Sequence, residues 1–138
     1  IDGSNGYGFP KEYDLPVLIR FDGAEERYTP SYQDIEEAEM LLQKQLEALN
    51  TPVVNQGIKG CPIIHKSLER YKRQYIGYID QNGDKILWVN FFLAKDKESV
   101  NRMKEEVIIV LDGCSQYWNI KINLDQEVSY DLHVNGVS

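Results

Sequence analysis

Only one stretch of this chain, residues 30–49, repeats its apolar side chains at helical spacing, whereas most of residues 71–134 alternates as strands do. One helix followed by a run of strands is the order of an α+β fold, and the helix must bury its stripe against one sheet face. Thr29 is placed to cap that helix, and Pro30 at the first helical position wastes no backbone donor. Asp34, Glu36 and Glu37 fall toward the positive end of the helix dipole. Ile35, Ala38, Leu42, Gln45/Leu46 and Leu49 make the stripe, and Glu36, Glu39, Gln43, Lys44 and Glu47 face water. Asn50-Thr51-Pro52 ends the helix.

The strands are punctuated by turn signals. Asn82-Gly83, read as a two-residue hairpin loop, pairs Ile79 with Ile86, Gly77 with Trp88 and Tyr75 with Asn90. That register gathers Ile76, Tyr78, Leu87, Val89, Phe91 and Leu93 on the face turned to the helix. Asp112-Gly113 predicts a second hairpin that sets Val107 opposite Trp118. For the last turn, a three-residue loop at Asp125-Gln126-Glu127 aligns Leu124 with Val128, Ile122 with Tyr130 and Ile120 with Leu132. A one-residue slip would mix core with surface.

Upstream, Tyr13, Leu15, Val17, Ile19 and Phe21 alternate around Pro16, which cannot donate to a ladder, so 13–21 reads as an edge strand or a strap. The expected architecture is therefore one long helix packed on a four- to five-stranded antiparallel sheet, the helix-grip arrangement. Residues 13–138 form a single domain behind a flexible, Gly-rich tether at 1–12. A strand of ten residues spans about 33 Å and a twenty-residue helix about 30 Å, so one can lie across the other.

Composition removes several function classes. The net charge of −7 supplies no basic footprint for nucleic acid. The basic run Arg70-Tyr71-Lys72-Arg73 reads as strand edge. The longest uninterrupted apolar run, residues 107–111, is far short of the roughly 20 residues a membrane helix needs. The chain opens at Ile1 without a methionine, which fits an exported protein that has lost its signal segment. Its place would be the periplasm, the medium or, by a lipid anchor, the cell surface.

Two cysteines, Cys61 and Cys114, would close a long loop if bonded, and as thiols would serve as small buried hydrophobes; the second reading is slightly favoured. Cys61 and His65 could meet on a helical turn as nucleophile and base. Pro62 and the apolar Ile63-Ile64 argue for a structural role instead. No phosphate loop, nucleophile elbow or metal-ligand set is present, so the chain reads as a non-enzyme without cofactor.

The segments Tyr71-Lys72-Arg73-Gln74-Tyr75-Ile76-Gly77 and Trp88-Val89-Asn90-Phe91-Phe92, with residues 119–136, resemble small uncharacterised exported proteins of gut-type bacteria. That likeness implies secretion or lipid anchoring and carries no activity. The helix-then-sheet order is also similar to the cystatin fold, whose Gln-x-Val-x-Gly loop wedges into cysteine proteases. Gln56-Gly57-Ile58-Lys59-Gly60 approaches that loop, with Ile58 for Val. The resemblance implies a protease inhibitor acting through 56–60. Two departures stand against it: no Pro-Trp second loop occurs, and 56–60 follows the helix without an intervening strand.

The first hairpin offers the main candidate surface. Its predicted register leaves Tyr71, Arg73, Tyr75, Ile79, Trp88 and Phe92 on the outer face, an unusually aromatic set. The outer face of the last hairpin carries Tyr117, Asn119, Lys121, Asn123, Ser129, Asp131 and His133, an ordinary wet face. The sequence thus predicts a non-catalytic binding module, with the aromatic face covered by the 13–21 strap, by an unknown protein or glycan, or by a second copy of the chain.

Overall fold

The computed structural model describes residues 5–21 and 26–137. Its elements in chain order are β1 (Gly6–Gly8), β2 (Glu26–Tyr28), α1 (Tyr32–Leu49), β3 (Lys72–Ile79), β4 (Lys85–Phe92), α2 (Lys97–Arg102), β5 (Tyr117–Asn123) and β6 (Val128–Val134). The long helix begins two residues later than Thr29 and Pro30 suggest. Ser31 is the cap: its hydroxyl accepts from the Asp34 N–H, and the Asp34 carboxylate accepts from the Ser31 N–H. This reciprocal box satisfies two orphan donors at once, which a Thr29 cap would not. The Thr29 hydroxyl instead accepts from the Lys11 N–H. Ala38, Leu41, Leu42 and Leu46 are buried, while Leu49 at the last turn is partly exposed.

The sheet has six strands and is mixed, where four or five antiparallel strands were expected. The order is β1-β3-β4-β5-β6, with β2 also paired to β3. Strands β3 to β6 are antiparallel neighbours. The extra strands come from the N-terminal region: β1 runs parallel to the Arg73–Tyr75 end of β3, and β2 runs antiparallel to its Gly77–Ile79 end. Residues 5–12 are therefore part of the domain and not a tether, with Phe9 in the core; residues 1–4 lie outside the described residues. At Gly77 a Cβ would sit 2.7 Å from the Tyr28 carbonyl oxygen and 2.9 Å from its ring, so only glycine lets β2 lie so close.

The first hairpin differs from its predicted register by one residue. Its loop is 81–83, closed by the Asp80 N–H to Asp84 carbonyl and Gly83 N–H to Asp80 carbonyl bonds, with Gly83 at φ +83°. The Asp80 carboxylate accepts from the N–H groups of Asn82 and Asp84. That side-chain support favours the three-residue loop with a left-handed glycine over the two-residue turn. Ile79 then pairs with Lys85, Ile76 with Trp88 and Tyr75 with Val89. The slip leaves β4 facing as predicted and turns every side chain of β3 over.

Two cores result, one on each side of the sheet. Under α1 lie Tyr71, Tyr75, Leu87, Val89, Phe91, Trp118, Ile120 and Ile122. On the other side Phe9, Ile76, Tyr78, Ile86, Trp88 and Val107 form a second cluster, covered by Tyr7, Tyr13, Leu15, Ile19 and Phe21. Phe21 stacks on Tyr78 with ring centroids 4.2 Å apart. Residues 13–21 are thus a strap and not an edge strand, and Val17 points out to solvent. Arg27 fastens the strap, donating to the carbonyls of Gly77, Tyr13 and Pro10.

The second predicted hairpin does not form. Strand β5 already has β4 on one edge and β6 on the other, so residues 107–111 have no ladder to join. They cross the outer face instead, held by amide side chains. The Gln74 amide nitrogen donates to the carbonyls of Met103 and Glu106, and its oxygen accepts from the Ile108 N–H and the Asn90 amide. Asn90 donates to the Ile108 carbonyl and Asn135 to those of Val110 and Asp112. Gln74 is fully buried and uses all four of its hydrogen-bonding positions.

The last hairpin starts one residue out of the predicted register, with Ile122 opposite Ser129. A bulge between Asn119 and Lys121 then restores it, so that Asn119 meets His133. Asp131, at φ +54°, takes up the extra residue. Gln45 of α1 closes this edge, accepting from the Ser129 N–H and donating to the Glu127 carbonyl. Cys61 and Cys114 are bonded to each other, so the thiol reading gives way to a disulfide that closes a loop of 53 residues.

Candidate functional site

Of the six residues expected on the outer face, Tyr71, Arg73, Tyr75, Trp88 and Phe92 are buried and Ile79 is half-buried, and the buried five are divided between the two sides of the sheet. Tyr71 donates its hydroxyl hydrogen to the Ser115 carbonyl under α1, and burial pushes that phenol up to about 12. Arg73 and Tyr75 face the helix and meet Glu39, which was expected to face water. The guanidinium donates from Nε and Nη2 to Glu39 at 3.0 and 2.7 Å, and the Tyr75 hydroxyl donates to the same carboxylate at 2.6 Å. Burial first, then the Glu39 charge, raises the Tyr75 phenol well above its ordinary value. Trp88 lies on the opposite side, beneath the strap, and Phe92 shares the parity of Trp88. The one-residue slip accounts for the division: β3 brought Arg73 and Tyr75 inward while β4 kept Trp88 and Phe92 outside.

The strap leaves part of the outer face open. Two adjoining concavities of about 280 and 390 Å³ share Leu18, Ile19, Trp88, Asn119 and His133. They form one groove across β4, β5 and β6. One wall is the strap; the other is the amide-held segment 108–111. Leu18 is 71% exposed on the first wall and Leu111 83% on the second. The floor is polar between these walls. Trp88 donates its indole N–H to the Asn119 carboxamide oxygen at 3.2 Å, a bond that does not use the Asn119 amide hydrogens. At one end Lys121 of β5 and Asp131 of β6 pair at 3.0 Å. A concave, apolar-walled groove with a few convergent polar groups has the form of a small-ligand site.

Of the sequence candidates only Trp88 belongs to this groove. Asn119, Lys121, Asp131 and His133 were legible as an outward-facing set, but they passed for ordinary wet surface. Nothing in the local pattern announced that Leu18 and Leu111 would rise on either side of them.

The 56–60 loop is built differently from a projecting Gln-first wedge. Gln56 is buried, exchanging hydrogen bonds with the Asn50 amide at 2.8 and 2.7 Å and accepting from the Ile64 N–H. Gly57, Ile58, Lys59 and Gly60 are exposed, forming a turn closed by the Cys61 N–H to Ile58 carbonyl bond. Cys61 is consumed by the disulfide and so is no nucleophile for His65, whose ring Nδ1 lies 3.0 Å from the Asn50 amide nitrogen.

No family model, curated protein or solved structure matches this chain. No helix among the described residues is long and apolar enough to cross a membrane.

Proposed function

We propose that this chain is an exported, non-catalytic binding module that holds a neutral polyhydroxylated ligand, of the glycan class, in the groove over Trp88. The observation that carries the reading is the sharing of Trp88, Asn119 and His133 by two adjoining hollows, which makes one continuous trough of them. Carboxamide and imidazole groups both donate and accept hydrogen bonds, as sugar hydroxyls do, and the aliphatic walls suit the carbon faces of a ring. The Cys61–Cys114 disulfide supports export, since such bonds persist in oxidising compartments. The helix lying on antiparallel β3 to β6 supports a cystatin-like architecture as the finer description of the fold.

The test is calorimetry and glycan-array binding with the whole chain and its Asn119→Ala and His133→Ala variants. Both substitutions touch the groove without entering either core. The expected outcome is glycan binding that falls about tenfold or more in each variant while the melting temperature of His133→Ala holds; Asn119→Ala also takes the acceptor of the Trp88 indole N–H and melts lower. Absence of any glycan response, or equal binding by the variants, would refute the assignment.

A further inference from the structure

One concavity of this acidic protein is lined by cations. It measures about 810 Å³, and its charged lining residues are Arg70 and Lys95, with no carboxylate among the rest. In a chain of net charge −7 that local balance is a departure from the whole. The two nearest acids in sequence do not line it: Glu69 is absent from its wall, and Asp96 is turned to cap α2 through the Ser99 N–H. Among the described residues nothing accepts a hydrogen bond or ion pair from the exposed Arg70 guanidinium. The Lys95 ammonium sits 5.9 Å above the Tyr117 ring and has no carboxylate partner either. The rest of the basic run is spent: Arg73 is bound to Glu39, and Lys72 donates to the Asn5 side chain.

The other wall is aliphatic and held rigid. Ile58 is 55% exposed there, beside Pro62, Leu93 and Ala94. The disulfide fixes Cys61, Gln116 donates its amide hydrogen to the Gly60 carbonyl, and Ser115 donates to the Pro62 carbonyl. Such a wall is organised before any ligand arrives, which lowers the ordering cost of binding. No aromatic ring lines the cleft to stack a sugar.

We infer that this cleft receives a peptide segment of a partner protein in which acidic and aliphatic side chains alternate. A carboxylate seats between Arg70 and Lys95, where the guanidinium fork matches its two oxygens. The neighbouring aliphatic side chain lies against Ile58 and Leu93. This site is separate from the Trp88 groove, and the two assignments stand or fall independently.

The experiment is a nuclear magnetic resonance titration of the isotope-labelled whole chain with a synthetic peptide alternating Glu and Leu. A matched Gln-Leu peptide is the control. The expected result is shifts at Ile58, Arg70 and Lys95 with none at Asn119 or His133, weakening as salt is added. Because both cations are exposed, the Arg70→Gln/Lys95→Gln double variant keeps the fold, and it should bind about tenfold or more weakly. Four results overturn the inference: equal response to the Gln-Leu peptide, undiminished binding by the double variant, and no shift at about 1 mM peptide. The fourth is saturation by inorganic phosphate or an oligogalacturonate with no response to the peptide, which makes the cleft a small-anion or acidic-glycan site.

Discussion

Replacing Glu39 by alanine tests the central correction to the register. If Arg73 lay on the outer face, Glu39 would be a wet helix residue and its loss would cost no more than about 0.5 kcal/mol. In the structure it is the counter-charge of an Arg73 side chain only 7% exposed, and the acceptor for the Tyr75 hydroxyl. The alanine variant leaves Arg73 its bonds to the Leu68 and Tyr71 carbonyls and its place 5.0 Å from the Phe91 ring. It removes the opposite charge and orphans a phenol. Breaking a buried pair costs about 3–5 kcal/mol. Glu39 itself is 25% exposed, so water can reach the vacated side, and the lower end of that range applies. A loss of about 3 kcal/mol is expected, which for a domain of this size lowers the melting temperature by roughly 10 °C. Urea unfolding followed by circular dichroism measures it, and a double-mutant cycle with Arg73→Met isolates the pair. A loss under about 1 kcal/mol, or a coupling near zero, would refute both the pairing and the register that creates it.

Three further outcomes are expected. Gln74→Met keeps the volume but removes all four amide contacts, so hydrogen exchange at Ile108 should rise by about tenfold or more ahead of global unfolding; unchanged protection would mean the 107–111 crossing is held by packing alone. Reducing the Cys61–Cys114 bond releases a loop of 53 residues and should cost about 4 kcal/mol by loop entropy, read as a fall in the urea midpoint; a midpoint indifferent to reductant would contradict it. Burial raises the phenols of Tyr28, Tyr71, Tyr75 and Tyr78 in the folded chain, so their contribution is complete below the ordinary tyrosine value and is lost as pH rises above about 10. Tyrosinate absorbance should therefore appear together with unfolding, and its appearance in a still-folded chain would argue against these buried placements.

Much of the architecture could be read from side-chain pattern alone. The α1 stripe, the outward placing of Trp88 and the inward placing of Trp118 all follow from spacing, because each depends on a period set within one element. The helix cap was missed by two residues because Thr29 and Ser31 are both good caps, and only the Asp34 carboxylate reaching back distinguishes them. The Asp80 side chain likewise lengthened the first loop by a local bond that the Asn-Gly signal overshadowed. One residue of error there moved Arg73 and Tyr75 from the supposed binding face into the core.

What the sequence by itself determined is the long helix, the four central strands and which residues within each share a face, since these arise from short-range steric and hydrophobic periodicities. The tertiary structure alone decided which strand edges were free, and so turned residues 107–111 from a strand into a crossing segment. It also decided that the N-terminal region would return to β3 as β1 and β2 and leave 13–21 as a strap. Strand edges can each be used once, and their assignment is a competition among segments far apart in the chain. The candidate groove is a product of that competition: its floor was visible in the alternation of β5 and β6, and its walls exist only because the strap and the crossing segment found no edge to join.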